Sequence, residues 1–224
     1  MEETRTENDR ALLISATGTG KTYLSAFDVK QAKAKKILFV AHRKVILERS
    51  KISYQRILKD KKLEIFDSNF QINDKDEVVF AMVQTLNKEK NLNIFPKDYF
   101  DYIIIDEVHH GGAKTYQSIF EYFKPKFLLG ITATPERTDD FNIYQLFNYN
   151  VAYEIRLQDA MKEELLCPFH YFGISDIVID GESIDEKTSI KNLTSDERVR
   201  HILEKSKYYS YLSLIHISEP TRPY

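Results

Sequence analysis

The stretch ALLISATGTGKT, residues 11–22, decides how the rest of the chain reads. A short apolar run, Ala11 to Ala16, stops at a loop holding two glycines two residues apart, and the helix formers of KTYLSAFDVKQAKAKK follow at once. This is the order strand, loop, helix. The chain has only 7 glycines, and four of them fall in two short clusters, Gly18 with Gly20 and Gly111 with Gly112. Concentrating a scarce residue that tolerates positive φ marks places where the backbone must bend tightly or be approached closely. SATGTGKT, Ser15 to Thr22, matches the phosphate-binding pattern G-x-x-x-x-G-K-[ST] at every position except the first, where serine stands for glycine. Glycine at 18 and 20 lets successive backbone N–H groups curl around phosphate oxygens, with Thr17 and Thr19 in the same curl and the helix N-terminus adding its positive end. Lys21 would face the β- and γ-phosphates and the Thr22 hydroxyl would sit on Mg²⁺. The simpler alternative is a tight strand-to-helix turn with a surface lysine.

Outward from this loop the same alternation repeats. KILFVA (36–41) reads as a buried strand, and in RKVILERSKISYQRILKD the residues Val45, Ile46, Ile52 and Ile57 fall near helical spacing. LEIF, EVVFAM (77–82), a helix-like VQTLNKEK, DYIIID (101–106), a helix around AKTYQSIFEYF and KFLLGIT (126–132) continue it. Nearly continuous Val/Ile/Leu strands alternating with helices predict an α/β fold with a mainly parallel sheet covered on both faces. Ligands of such sheets bind at the carboxyl ends of the strands, so the polar residues after ALLISA, DYIIID and KFLLGIT share one address. Beyond about Asn150 the alternation weakens. VAYEI, RLQDAMKEELL and CPFHYFGIS predict a strand, a helix and a strand, DIVIDGESIDEKTSIKNL is linker-like, and Thr194 with Glu197 predicts a capped helix through SDERVRHILEKSKYY.

Composition bounds the function. With 224 residues, 42% apolar and 29% charged, the chain has the usage of a folded protein rather than a disordered one. Its 32 basic and 34 acidic residues give a net charge of −2, which excludes a blanket polycation and leaves room for a local basic groove. Cys167 is the single cysteine, so no intramolecular disulfide and no multi-cysteine zinc site is possible. No apolar run approaches the roughly 18 residues of a membrane helix, and MEETRTENDR has no signal-peptide core; the expected setting is cytoplasmic.

DEVHH, Asp106 to His110, closes the DYIIID run. Two adjacent carboxylates behind a buried strand are costly unless a cation or proton offsets them. With Mg²⁺ supplying the offset, Asp106 would hold the metal and Glu107 would orient and deprotonate an attacking water. Without it, the pair would cap the following helix. His109 could instead ligate a metal with His110 and His42, although adjacent loop histidines are badly placed to share one zinc. ITATPERTD follows the last strong strand, and hydroxyls at Thr132 and Thr134 suit a hydrogen-bonded link; a plain turn ended by Pro135 is the alternative.

ATGTGKT, DEVHH and ITATPERTD in this order resemble the first motor domain of superfamily 2 helicases of the DExH kind, related to type III restriction-enzyme motor subunits. The resemblance spans about Ala11 to Asp176. It implies a RecA-like P-loop NTPase fold, ATP and Mg²⁺ as cofactors, ATP hydrolysis, and movement on nucleic acid, DNA before RNA. Position by position it implies that Lys21 and Thr22 belong to motif I, that Asp106, Glu107 and His109 are the catalytic motif II, and that Thr132, Ala133 and Thr134 are motif III, which couples the nucleotide pocket to the nucleic-acid face. FVAHRKVIL resembles motif Ia, with Arg43 as the phosphate contact, and MVQTLNKE resembles motif Ib, with Gln84 and Thr85 as donors; ordinary solvated helix faces are the alternative for each. A nucleotide-switched binding module that does not translocate is the competing function.

The resemblance also sets the expected domains: a RecA-like unit over 1–176, a linker and helix over 177–211, and 212–224 as a non-native tail. LSLIHISEPTRPY resembles a translated sequencing adapter, so its 13 residues are expected to be foreign. A second RecA-like domain with an arginine finger, and in some relatives a nuclease domain, would belong to the parent chain. The ten residues before Ala11 are expected to leave no room for the family's adenine-reading helix and its glutamine.

Overall fold

The computed structural model describes residues 1–67, 70–72, 77–109, 114–136, 142–167, 178–179, 182–183 and 196–208. Met1 to Cys167 form one compact unit. It begins with a short helix, α1 (Glu2–Glu7), followed by β1 (Arg10–Ser15), α2 (Lys21–Ala32), β2 (Lys36–Ala41), α3 (Lys44–Ile57), β3 (Lys62–Ile65), β4 (Glu77–Met82), α4 (Val83–Leu86) and α5 (Glu89–Leu92). Then come β5 (Tyr102–Asp106), α6 (Lys114–Tyr122), β6 (Phe127–Thr132), α7 (Ile143–Leu146), β7 (Val151–Ile155) and α8 (Leu157–Lys162). The strands make a seven-stranded sheet in the order β3-β4-β2-β5-β6-β1-β7, and every pairing is parallel. The expected α/β architecture is therefore the one observed.

Period-two alternation inside the apolar strands divides their side chains between two cores. Leu12, Ile14, Leu38, Val40, Ile103 and Ile105 face one side, packed with Tyr116 and Ile119 of α6 and with Phe147. Ala11, Leu13, Ile37, Phe39, Tyr102 and Ile104 face the other, packed with Ala26 and Val29 of α2 and with Leu47 and Tyr54 of α3. A strand that must be apolar on both faces shows no polar alternation in sequence, which is why each of these strands reads as one uninterrupted run.

Two helices depart in part from expectation. A helix does form before β1, and it is stitched to α2: Arg5 pairs with Asp28, and Gln31 donates to Glu2 at 2.6 Å. Asp28 is almost fully buried and also accepts from the Tyr102 hydroxyl, so α1 is tied through α2 to the sheet. The helix carries no glutamine. On α3 the helical spacing is right and Ile46 and Ile57 pack against the core, but Val45 and Ile52 are more than half exposed, while Leu47, Ser50 and Tyr54 are buried. Leu47 and Tyr54 join the core that also holds Ala26 and Val29 of α2, and Tyr54 reaches Ser25 of that helix across 2.7 Å.

Beyond this unit, Val178–Ile179 and Glu182–Ser183 (β8 and β9) pair antiparallel, and Asp196–Tyr208 forms α9. The helix predicted after Thr194 is thus present, whereas Thr194 itself, the strand expected in CPFHYFGIS from residue 168 onward, the boundary at Asp176 and the tail 212–224 lie outside the described residues.

Gly130 on β6 generates a prediction. A Cβ there would run into the ring of the fully buried Phe147 and come within 2.9 Å of Val108 Cγ1. Gly130→Ala should lower the free energy of unfolding by about 1 to 3 kcal/mol through overpacking. Urea denaturation measures it, and the double variant with Phe147→Leu should recover part of the loss because the two residues share one space.

Candidate nucleotide site

The parallel register aligns three loops at one sheet edge. β6 lies between β1 and β5, with Ile14 beside Thr132 and Asp106 beside Ile131, so the loops after Ser15, Asp106 and Thr132 leave at one height. The first is the glycine turn. Gly18 and Gly20 adopt φ of +90° and +83°, and Gly20 stands at the N-cap of α2, so that Lys21 starts the helix. Only glycine takes these angles without a Cβ penalty. Ser15, the departure from the phosphate pattern, is fully buried and bonds through its hydroxyl to that of Thr19, which also donates to the Ala16 carbonyl at 2.6 Å. The serine thus fastens the loop that a glycine would leave free. Thr17 and Gly18 are exposed, and Thr22 is half-buried one residue into α2.

Lys21 folds back across the loop and donates to the carbonyls of Ser15 at 3.1 Å and Ala16 at 3.3 Å. Burial holds its ammonium below the usual lysine range, against the opposing pull of Glu107 and Asp106. The lysine and the motif II carboxylates are therefore in one field. Burial, reinforced by the charge of Glu107, pushes Asp106 up to about 6, with Lys21 and the Glu107 N–H working in the other direction. A buried carboxylate whose charge is disfavoured is stabilised by a divalent cation placed beside it. The residues present fit Mg²⁺ at Asp106 and a phosphate chain over Lys21.

Glu107 takes a left-handed conformation, φ +51°, a strained choice for a side-chain-bearing residue. Its N–H donates to Asp106 Oδ1 at 3.1 Å, and its carboxylate lies 3.1 Å from His109 Nδ1. The same nitrogen lies 3.1 Å from the Thr132 hydroxyl, which accepts the Thr134 N–H at 3.1 Å. A continuous polar chain thus runs from Glu107 through His109 to Thr132 and Thr134. Of the two expected hydroxyls, that of Thr132 is in the chain; Thr134 enters through its backbone N–H while its side chain is exposed, and Ala133 is half-buried between them. His109 is engaged with Glu107 and Thr132, and His110, the second residue of the zinc alternative, lies outside the described residues.

The residues assigned to nucleic acid gather on the other half of the same edge. β2 and β4 pair with Ala41 beside Met82, so Arg43 and Gln84 leave neighbouring strand ends. Arg43 is exposed at the N-cap of α3. Gln84 is exposed and donates from Nε2 to the His42 carbonyl at 3.2 Å, which joins the two loops; Thr85 is half-buried and its carbonyl accepts from Asn91.

Sequence reasoning missed three participants. Tyr116 on α6 is buried, and burial with the charges of Asp106 and Glu107 pushes its phenol up to about 12, so it lies within the field of the carboxylates. Arg156 follows β7 and binds Glu136 at 2.6 Å beside motif III. Leu166 packs on the glycine loop. A signal existed for Arg156, since it follows a strand at the carboxyl edge; none existed for Tyr116, which reads as ordinary helix core.

Fold and site define a RecA-like ATPase domain of the superfamily 2 helicase type. The chain belongs to the family described as "Type III restriction enzyme, res subunit", which matches residues 1–137. It is 30% identical over 184 residues to the type I restriction enzyme EcoAI endonuclease subunit of Escherichia coli, covering 77% of this chain and 22% of that protein. It is 31% identical over 161 residues to a protein of Acanthamoeba polyphaga mimivirus described as an ATP-dependent RNA helicase, covering 71% and 30%. A solved fragment described as an HsdR subunit of a type I restriction enzyme from Vibrio vulnificus YJ016 superposes with a TM-score of 0.51 at 29% identity, covering 70% of this chain and 28% of that one. The chain thus spans less than a third of the length of these relatives.

Asp106 generates a pH prediction for the metal-free protein. Its folded value lies near 6, against an ordinary aspartate near 3.9, so between these values the folded state holds a proton that the unfolded state has released. Stability from this group therefore falls as pH rises through that window. Asp106→Asn should stabilise the protein in chelator at pH 7.5 by about 1 to 3 kcal/mol, with the advantage vanishing near pH 4. Thermal melts across pH measure the difference.

Proposed function

We propose that this chain is the ATP-binding half of a nucleic-acid motor: it binds Mg-ATP, hydrolyses it to ADP and phosphate, and couples the reaction to a bound strand, DNA in preference to RNA. The observation that carries the reading is the single polar chain from Glu107 through His109 to Thr132 and Thr134, because it joins a carboxylate suited to activating water, on the strand that borders the second strand-end cluster, to the loop after the next strand. In this reading Gly18, Thr19 and Gly20 offer backbone N–H groups to the phosphates, and Lys21 exchanges its two carbonyl partners for phosphate oxygens. Asp106 and Thr22 hold Mg²⁺, which supplies charge neutralisation at the phosphates. Glu107 accepts the proton of the attacking water, and His109 keeps the Glu107 carboxylate oriented while reporting its state to Thr132. Arg43, Gln84 and Thr85 hold the phosphates of one strand. DNA is preferred because a relative at 30% identity is a restriction endonuclease subunit. A second RecA-like domain, and a nuclease domain elsewhere in the parent protein, would complete the machine in the cytoplasm; among the described residues no helix is long and apolar enough to cross a membrane.

An arginine finger is worth about 10³ to 10⁵ in turnover, so this chain alone should be a weak ATPase. Isothermal calorimetry and single-turnover hydrolysis test the assignment. Lys21→Ala should abolish Mg-ATP binding, and equal affinity in the variant would overturn the phosphate loop. Glu107→Gln should bind ATP normally and slow hydrolysis by about 10² to 10⁴, since shape is kept and the base is lost. Hydrolysis at the parental rate would move the base elsewhere. A module that only switches would bind ATP yet show no difference between Glu107 and its amide.

A further inference from the structure

Besides the two main cores the domain has a third and smaller apolar cluster: Ala16, Ile155 and Ala160, with Leu166 packed against it. Ala16 belongs to the glycine loop, Ile155 ends β7, and Ala160 lies in α8. The cluster therefore joins the phosphate loop to the segment that leaves the sheet. Ala16 N–H donates to the Ile155 carbonyl at 3.0 Å, which seats the start of the loop on β7. α8 then ends in a tight reversal: Glu164 adopts φ +57°, and the N–H groups of Leu165 and Leu166 both donate to the Ala160 carbonyl, at 2.9 and 3.2 Å. This left-handed helix end, at a residue that is not glycine, turns the chain back over the loop.

Leu166 completes the contact. Its Cδ2 lies 3.0 Å from where a Cβ on Gly18 would be, so the leucine occupies the space beside the backbone that glycine alone leaves open. The opposite end of the same unit grips motif III: Arg156, between β7 and α8, donates to Glu136 at 2.6 Å and also to Glu154. One compact element touches both loops that the proposed reaction must move or hold, at one through an apolar wedge and at the other through an ion pair.

We propose that Leu166 is a positioning residue for the phosphate loop. Wedged on Gly18 by the Glu164 turn, it holds the loop in the curled form that receives a nucleotide triphosphate, and loop occupancy in turn shifts the Leu165–Leu166 segment. The proposal rests on the ATP-binding reading above. It assigns no chemistry to Leu166, which acts through Gly18.

The chain has no tryptophan, so a single reporter can be placed without background. Leu165 is about half exposed and its described bond is made by the backbone, so Leu165→Trp puts the indole one residue from the wedge. Mg-ATP titrated into this variant should change the tryptophan emission with the midpoint seen by calorimetry. Adding Leu166→Ala should weaken affinity by about 3- to 10-fold, as expected when a preorganised loop is loosened, and should remove most of the emission change. Leu166→Met should restore both. Leu157→Ala, an exposed position at the far end of α8, should alter neither, which separates the wedge from general loss of helix packing. Saturable heat with no emission change in the Leu165→Trp protein, or full affinity and signal in the presence of Leu166→Ala, would overturn the proposal and leave ATP binding standing. Absence of any binding heat in the Leu165→Trp protein and in the parent would overturn the ATP reading and this proposal with it.

Discussion

The parallel pairing of β6 between β1 and β5 is the constraint on which the site depends. Because all three strands run the same way and their registers match within one residue, the glycine loop, the carboxylate pair and the threonine loop emerge side by side. A register slip of one residue would send each strand's side chains to the opposite face and would bury the wrong set. The two cores forbid that slip, since Leu13 and Ile14, or Ile104 and Ile105, are packed on opposite sides of the sheet with no room for exchange.

Within that frame the site is a balance of burdens. Asp106 sits at the end of a fully buried strand, and its ionised form is disfavoured there; Glu107 adds like charge and takes a strained backbone angle. Lys21 is the compensating cation, but it is held by loop carbonyls rather than by either carboxylate. Each of these features costs stability, and in the proposed reading a metal-bound triphosphate, which brings both a cation and an anion, offsets the charges at Asp106 and Lys21. Strain and unpaired charge of this kind accumulate where a protein binds or reacts, not where it merely packs.

In the proposed reading the carboxyl edge is divided between two tasks. The loops after β1, β5 and β6 form the nucleotide half, and those after β2 and β4 form the half that presents Arg43 and Gln84. β5 borders both, so the polar chain that begins at Glu107 starts near the seam. The unit made by β7 and α8 closes the nucleotide half from the outside, through Leu166 on Gly18 and Arg156 on Glu136.

Sequence by itself determined the strands, their parallel arrangement and the gathering of polar residues at three strand ends, because these depend on local signals: apolar runs, glycines at required positive φ, and carboxylates or hydroxyls directly after a run. Gly18, Gly20, Lys21, Asp106, Glu107 and Thr132 were legible for that reason. Tertiary structure alone decided which face of α3 is buried, since Val45 and Ile52 satisfy helical periodicity as well as Leu47 and Tyr54 do and only the packing against α2 chooses between them. It alone tied α1 to α2 through Arg5 and Asp28, and it alone brought Tyr116 to the carboxylates and Leu166 to Gly18. These contacts join residues far apart in the chain whose types, a tyrosine on a helix and a leucine in the turn after one, carry no mark distinguishing a partner of the site from ordinary core. Their partners are fixed by the strand order, which pairing energies over the whole sheet select and no local window of sequence contains.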